Sequence, residues 1–265
     1  MKYETTKVDF LLNKITSIDK LFNGKYTVDP YQNCEYGCLY CDSGFDKTIK
    51  IKTNASEILD KELKKLKKGT IIVGSVHDPY QKAEERYKIT RDIIKVINKH
   101  DFPCHILTKS DMILRDIDIL LKIKKLRVTL SLISLKKKVN KYLEKNIPSP
   151  NKRLNTIKKL TKRGINAGLA IIPIIPFITD NEIEEIIKIA KNYDAKYILY
   201  KPLELKGDQK QYFFNFINKS YPKLLKKYEI LYKDSYKPID KYINYIDKKY
   251  KKLSYSYQYE NRNEV

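Results

Sequence analysis

Tryptophan is absent from this 265-residue chain, and arginine is scarce, at seven of 54 basic residues. Long apolar runs are missing too: nothing approaches the roughly eighteen residues that a membrane helix needs. The opening stretch, MKYETTKVDFLLNKI, has neither an apolar signal core nor a small-residue cleavage site. A spanning or secreted protein is therefore not expected. Four cysteines in 265 residues do not make a disulfide scaffold. The expected compartment is the reducing cytoplasm. The length suffices for a packed core in one large domain or two small ones.

Acidic residues are also in deficit, 32 against 54 basic ones, for a net charge of +22. Such a field attracts polyanions, nucleic acid first among them. A second reading stands beside it. The chain is rich in Lys, Ile, Asn and Tyr, the usage expected from AT-rich codons, and Arg, which grips phosphates bidentately, is rare. Lysine runs such as KELKKLKK (61–68) and KKYKK (248–252) fall in helical patterns and read equally as solvated faces.

Residues 1–25 read as a short polar lead-in. From there strands and helices alternate. Strands are expected at 26–31, 47–54, 70–76, 103–110, 127–134, 165–176 and 195–203. Helices are expected at 57–68 (capped by Ser56, closed by Gly69), 83–99, 111–125, 153–163 (closed by Gly164) and 181–192 (capped by Asp180). Near-continuous apolar strands argue for parallel β/α units. Leaving aside the half-exposed segment at 47–54, six strands remain, at 26, 70, 103, 127, 165 and 195. That number suits a partial barrel or an open doubly wound sheet and falls short of a full eight-unit barrel. Residues 208–252 read as Lys- and Tyr-rich helices, and the last dozen as a frayed tail. The expected organisation is a lead-in at 1–25, a core at 26–205 and a helical extension at 206–265.

Three of the four cysteines crowd into YQNCEYGCLYCDSG (31–44), as Cys34, Cys38 and Cys41 in a Cys-x3-Cys-x2-Cys spacing. A structural zinc site calls for a fourth Cys or His ligand, and neither Cys104 nor His77, His100 or His105 is near in sequence. An iron–sulfur cluster suits thiolates better. Three ligands to a four-iron cluster would leave one iron open to a substrate or cofactor.

At these residues the chain resembles the radical S-adenosylmethionine (SAM) superfamily, over roughly residues 20–205. The motifs DPYQNCEYGCLYCDS, GSVHDPYQ (74–81), TKSDMILRDIDIL (108–120), PSPNKRL (148–154) and IIPIIPFITDNEIE (171–184) occur in order. Together they look like its spore photoproduct lyase-like branch, related to DNA repair photolyases. The resemblance implies an α/β fold, a partial (β/α)6 TIM-type barrel with the C-terminal helices added. It implies a 4Fe-4S cluster on Cys34, Cys38 and Cys41, whose fourth iron chelates SAM. One electron then cleaves SAM to methionine and a 5′-deoxyadenosyl radical, which abstracts hydrogen from substrate. A reductant protein is the implied partner, and nucleic acid a candidate substrate.

The same resemblance suggests further roles, each with a plainer alternative. Tyr40 would pack on the SAM adenine, or be a core aromatic. Gly37 would let the loop bend around the cluster, or be an ordinary turn glycine. Gly74 and Ser75 would offer backbone carbonyls to the methionine amino group, or end a buried strand. Lys109 and Ser131 are candidates for the SAM carboxylate and ribose, or a helix-entry charge and a small barrel filler. Arg153 would contact a carboxylate or phosphate, or lie exposed. His77 and Asp78 are polar groups on the substrate side, or a turn before Pro79. Spore photoproduct lyase returns a hydrogen atom from a cysteine near the end of its second strand. This chain has Gly74-Ser75-Val76-His77-Asp78 there, and Cys104 begins the third strand instead. No residue is assigned to hydrogen abstraction. The competing class is an iron–sulfur nucleic-acid-binding protein without SAM chemistry; a zinc-bound structural protein is a third.

Overall fold

The structure is a computed structural model that describes residues 1–17, 19, 21–41 and 47–257. Its strands are β1 (Lys2–Thr6), β2 (Leu12–Lys14), β3 (Tyr26–Val28), β4 (Tyr31–Gln32), β5 (Thr48–Lys52), β6 (Ile71–Val73), β7 (Cys104–Thr108), β8 (Leu126–Ser131), β9 (Asn166–Ile174) and β10 (Ile198–Pro202). Its α-helices are α1 (Ala55–Leu63), α2 (Ala83–Tyr87), α3 (Ile89–Lys99), α4 (Ile117–Leu120), α5 (Lys137–Leu143), α6 (Pro150–Thr161), α7 (Ile183–Asn192), α8 (Asp208–Ser220), α9 (Leu225–Leu231) and α10 (Asp240–Ser256).

The main sheet runs β10-β9-β8-β7-β6-β3-β2. Every neighbouring pair from β3 to β10 is parallel, and β2 adds an antiparallel edge. The six parallel strands are the six that the sequence pattern indicates, in chain order, and the sheet stays open as a partial barrel. Alternation along each strand separates two packing layers. On β7, Cys104 and Ile106 join the large core under the helices, while Leu107 packs inside with Ala170, Ile172, Tyr197 and Leu199. Ile93, Ile94 and Ile97 place three fully buried side chains on one stripe of α3, each worth roughly 1.5–3 kcal/mol in burial.

The first 25 residues differ from a polar lead-in. β1 pairs parallel with β5, and β4 closes that small separate sheet on its other side. Asn54 ties this region down: its side-chain amide exchanges two 2.9 Å hydrogen bonds with the Val8 main chain. Asn54, not Ser56, is therefore the residue before α1, and its side chain caps nothing. The helix ends at Leu63, well short of Gly69. Residues 83–99 form two helices because Lys88 turns left-handed (φ 54°). The Glu84 carboxylate accepts from the Thr90 and Arg91 amides and so starts the second. The segment after β7 is mostly 3-10, Asp111–Asp116, before the short α4. Asp180 does not cap α7 either; its carboxylate takes the Phe177 amide and the Tyr242 hydroxyl.

The C-terminal helices explain their tyrosines. Buried Tyr228, Tyr232 and Tyr250 donate hydroxyls to the carbonyls of Pro176, Leu203 and Ile198, at or near the ends of β9 and β10. Each ring brings apolar area and a donor for a backbone acceptor that would otherwise be buried unpaired.

Candidate active site

The C-terminal ends of the parallel strands open into a cavity of about 410 Å³. Cys34, Cys38 and Cys41 line it from the loop after β4. Facing them are Gly74 and Ser75 beyond β6, Lys109 beyond β7 and Ser131 at the end of β8. Lys201, Glu204 and Lys206 stand around the same cavity.

Two sets of contacts build the cysteine loop. Gln81 donates from Nε2 to the Asn33 carbonyl (3.0 Å) and accepts from the Glu35 amide through Oε1 (2.9 Å). Glu35 in turn accepts from the Ala83 amide at 2.6 Å, and Tyr36 donates its hydroxyl to the Tyr80 carbonyl at 3.1 Å. This stitches residues 33–36 to 80–83. On the far side, Tyr40 donates its hydroxyl to Glu144, Gln209 of α8 donates to the Tyr40 carbonyl, and the Leu39 amide bonds the Leu143 carbonyl at 3.0 Å. Gly37 between these anchors has φ +55°, a conformation that favours glycine.

None of the three cysteines is in a disulfide; Cys38 is buried and the other two half-buried. Burial first, then Asp78, pushes the Cys34 thiol up to about 12. Burial also lifts Cys38 to about 12, against the pull of Lys109. For the Lys109 amine, burial opposes the charged form. Cys38, Glu144, Asp78 and Cys41 outweigh it, and the ammonium is held above its ordinary range. Among the described residues, no three His, Cys, Asp or Glu side chains converge on the point of a single ion. Three thiols lining one cavity beside a cation are a donor set suited to an iron–sulfur cluster, whose irons each take their own thiolate.

The strand ends carry more structural duty than their sequence suggests. Asp29, after β3, accepts from Ser75 Oγ (2.9 Å) and from the Val76 and His77 amides (3.0 Å each). Gly74 has φ +86°, and a Cβ there would lie 2.4 Å from Pro79 and 2.6 Å from the Leu107 oxygen. No larger residue fits that turn. Asp78 makes the turn before Pro79, accepting from the Tyr80 amide (2.9 Å), the Thr108 hydroxyl (2.6 Å) and the Lys109 amide (2.7 Å). It thus pins β7's end while its carboxylate sits beside the Lys109 charge. His77 lines the cavity. Ser131 donates its hydroxyl to the Ile172 carbonyl (3.1 Å).

Arg153 is not at the surface. It is 1% exposed, donates to the Ser131 carbonyl at 2.8 Å and pairs with Glu144 at 2.7 Å. The Glu144–Arg153 pair therefore links Tyr40 to the end of β8. Glu144, Gln209, Gln81 and Asp29 were not legible as site residues, because each acts on a partner distant in sequence. Cys104 lies at the opposite, N-terminal end of β7, buried, its thiol raised to about 12 by burial.

A family model described as the radical SAM superfamily matches residues 28–190. An uncharacterized protein of Methanocaldococcus jannaschii is 33% identical over 242 residues, 87% of this chain and 89% of that protein. An uncharacterized protein of Mycobacterium tuberculosis is 26% identical, over 84% of this chain and 71% of its own length. Among solved structures, spore photoproduct lyase complexed with dinucleoside spore photoproduct superposes with a TM-score of 0.72 at 16% identity, covering 92% of this chain and 78% of that one. This chain spans 65% of a further spore photoproduct lyase structure. Streptococcus suis SuiB bound to S-adenosylmethionine superposes with a TM-score of 0.52 at 16% identity, over 77% of this chain and 44% of that chain. These structural likenesses are of fold, whereas the family match covers more than half the sequence and the archaeal relative most of it. The chain belongs to the radical SAM superfamily, whose enzymes work with a 4Fe-4S cluster and S-adenosylmethionine.

Proposed function

We propose that this chain cleaves SAM reductively, with Cys34, Cys38 and Cys41 as the cluster ligands. The observation that supports this is the convergence of three cysteine thiols and the strand-end residues Gly74, Ser75, Lys109 and Ser131 on one cavity. When bound, the cluster and SAM together supply one-electron cleavage to methionine and a 5′-deoxyadenosyl radical that takes a hydrogen atom from substrate. The chain's own residues hold and orient. Lys109, kept protonated, pairs with the SAM carboxylate. Ser131 spends its proton on Ile172 and keeps lone pairs for a ribose hydroxyl. The Gly74 and Ser75 carbonyls accept from the methionine amino group. Tyr40, its hydroxyl held by Glu144, offers a fixed ring face to the adenine. The core at 26–205 and the extension from 206 form the working unit in this reading. Cysteines outside any disulfide fit a reducing cytoplasm, where a reductant protein supplies the electron.

For the substrate, the reading is nucleic acid, supported by the +22 charge and by Lys201 and Lys206 beside the cavity. Duplex DNA binding should weaken steeply with salt, as released counterions require. A titration with no binding at low salt would remove nucleic acid and leave codon usage to account for the lysines. The substrate is not expected to be spore photoproduct. No cysteine stands beyond β6, and Cys104 is at the wrong end of β7 to return a hydrogen atom. Rapid, complete repair of that lesion would overturn this exclusion.

A further inference from the structure

The half-barrel has a second opening. At the N-terminal ends of its strands lies a cavity of about 620 Å³, within the size range of small-ligand pockets. The inner layer of Leu107, Ala170, Ile172, Tyr197 and Leu199 packs between this end of the strands and the C-terminal end, where the first cavity opens. Sheet register places three polar residues abreast here: His105 on β7 opposite Arg127 on β8, and Arg127 opposite Asn166 on β9. All three line the cavity.

This row is incompletely satisfied. His105 is 1% exposed. Its Nε2 bonds Thr129 Oγ1 at 2.6 Å, and Thr129 continues to the Tyr197 hydroxyl at 2.8 Å. Its Nδ1 is buried, and the Phe22 backbone approaches it without completing a hydrogen bond. The Asn166 Oδ1 is likewise buried without a partner. Arg127 forms no ion pair among the described residues; its guanidinium lies 5.4 Å from the centroid of the Tyr197 ring. Exposed Lys124 and Lys125 complete the rim, and among the described residues no carboxylate lines the cavity. Two acidic groups stand nearby: Asp19, whose carboxylate acts on the His105 ring and accepts from the Leu21, Phe22 and Gly24 amides, and exposed Asp101, 3.2 Å from Lys124 in a pair that competes weakly with a ligand.

Asn166 Oδ1 accepts hydrogen bonds and does not itself draw an anion; the cations of the row do. Three cations lining one cavity select for negative charge, and a guanidinium's planar fork matches an oxyanion. We propose that this N-terminal cavity is a second binding site, for a small oxyanion bearing phosphate or carboxylate, gripped by Arg127 with Lys124 and Lys125 at the rim. Its position, across the packed inner layer from the cysteines, makes it independent of SAM.

The test is calorimetric titration of the cluster-loaded full chain, saturated with SAM, using inorganic phosphate in one arm and succinate in the other at constant ionic strength. The expected result is sub-millimolar binding of at least one, the tighter arm naming the ligand class. Arg127→Gln should weaken it about tenfold or more. The double substitution Lys124→Gln and Lys125→Gln changes only exposed side chains, so folding is not at stake, and it should weaken binding several-fold. Lys251→Gln with Lys252→Gln removes the same charge from α10 and should leave binding unchanged. Binding of neither anion would overturn the proposal. So would an equal loss from the rim and α10 doubles, which would assign the affinity to the general field of the protein.

Discussion

Replacing Cys38 by alanine should leave a protein that emerges from anaerobic reconstitution colourless and nearly free of iron, whereas the unmodified chain takes up about four irons. Cys34→Ala and Cys41→Ala should behave alike. Each thiolate holds a different iron, so the loop has no spare ligand. Cys104→Ala should load fully. That thiol is buried at the far end of β7, and its loss costs about 1 kcal/mol of stability at most. Loss of SAM-derived product in the three loop variants should be on the order of 100-fold or more, since ligand loss exceeds the effect of removing an outer-shell partner. Lys109→Met provides the contrast: iron content is kept, while SAM binding weakens through loss of the cation beside Cys38 and Cys41. Full iron content in Cys38→Ala would refute the ligand assignment. A colourless Cys104→Ala would reveal a fourth thiolate and remove the open iron.

The second large effect falls on stability. Arg153→Ala should destabilise the chain by about 3–5 kcal/mol, the range for stripping one partner from a buried ion pair. The pair is nearly sealed, with side chains 1% and 0% exposed, and truncation abandons the Glu144 carboxylate in the core. It also frees the Ser131 carbonyl and loosens the anchor of Tyr40. Such a loss is a large part of the 5–15 kcal/mol that holds a typical domain together. A double substitution, Glu144→Leu with Arg153→Met, removes both charges at similar volume and should recover most of the stability. Urea unfolding of the three proteins reads this directly. A cost below about 1 kcal/mol for Arg153→Ala would mean that the pair is solvated and does not brace the loop.

Parallel strands such as Ile71–Val73 and Asn166–Ile174 were legible because they are short, largely apolar runs buried on both faces. The helix expected from 153 starts earlier, at Pro150, because a proline fits its first turn and Ser149 accepts from the Lys152 amide. The failures share one cause: polar side chains whose local role was taken by a distant partner. Asn54 spends its amide on Val8, and Asp180 spends its carboxylate on Phe177 and Tyr242, so neither helix start follows its local signal. The same cause hid much of the site. Tyr40 and Glu144 meet across 104 positions, and Gln209 reaches Tyr40 across 169. The motif TKSDMILRDIDIL is largely scaffold: Arg115 grips Glu84 (2.6 Å) and Asp116 (2.8 Å), and Arg91 pairs with Asp116 at 2.8 Å. By contrast, the cysteine spacing is local, so the candidate ligands could be named from sequence alone.

The most direct test of the enzymatic reading is chromatographic detection of 5′-deoxyadenosine from anaerobically reconstituted, dithionite-reduced protein incubated with SAM and no other substrate. The cavity that gathers Cys34, Cys38, Cys41, Lys109 and Ser131 predicts slow but measurable formation of 5′-deoxyadenosine with an equal amount of methionine. Fully loaded, reduced protein that binds SAM and yields none would contradict it and return the chain to an iron–sulfur protein without SAM chemistry.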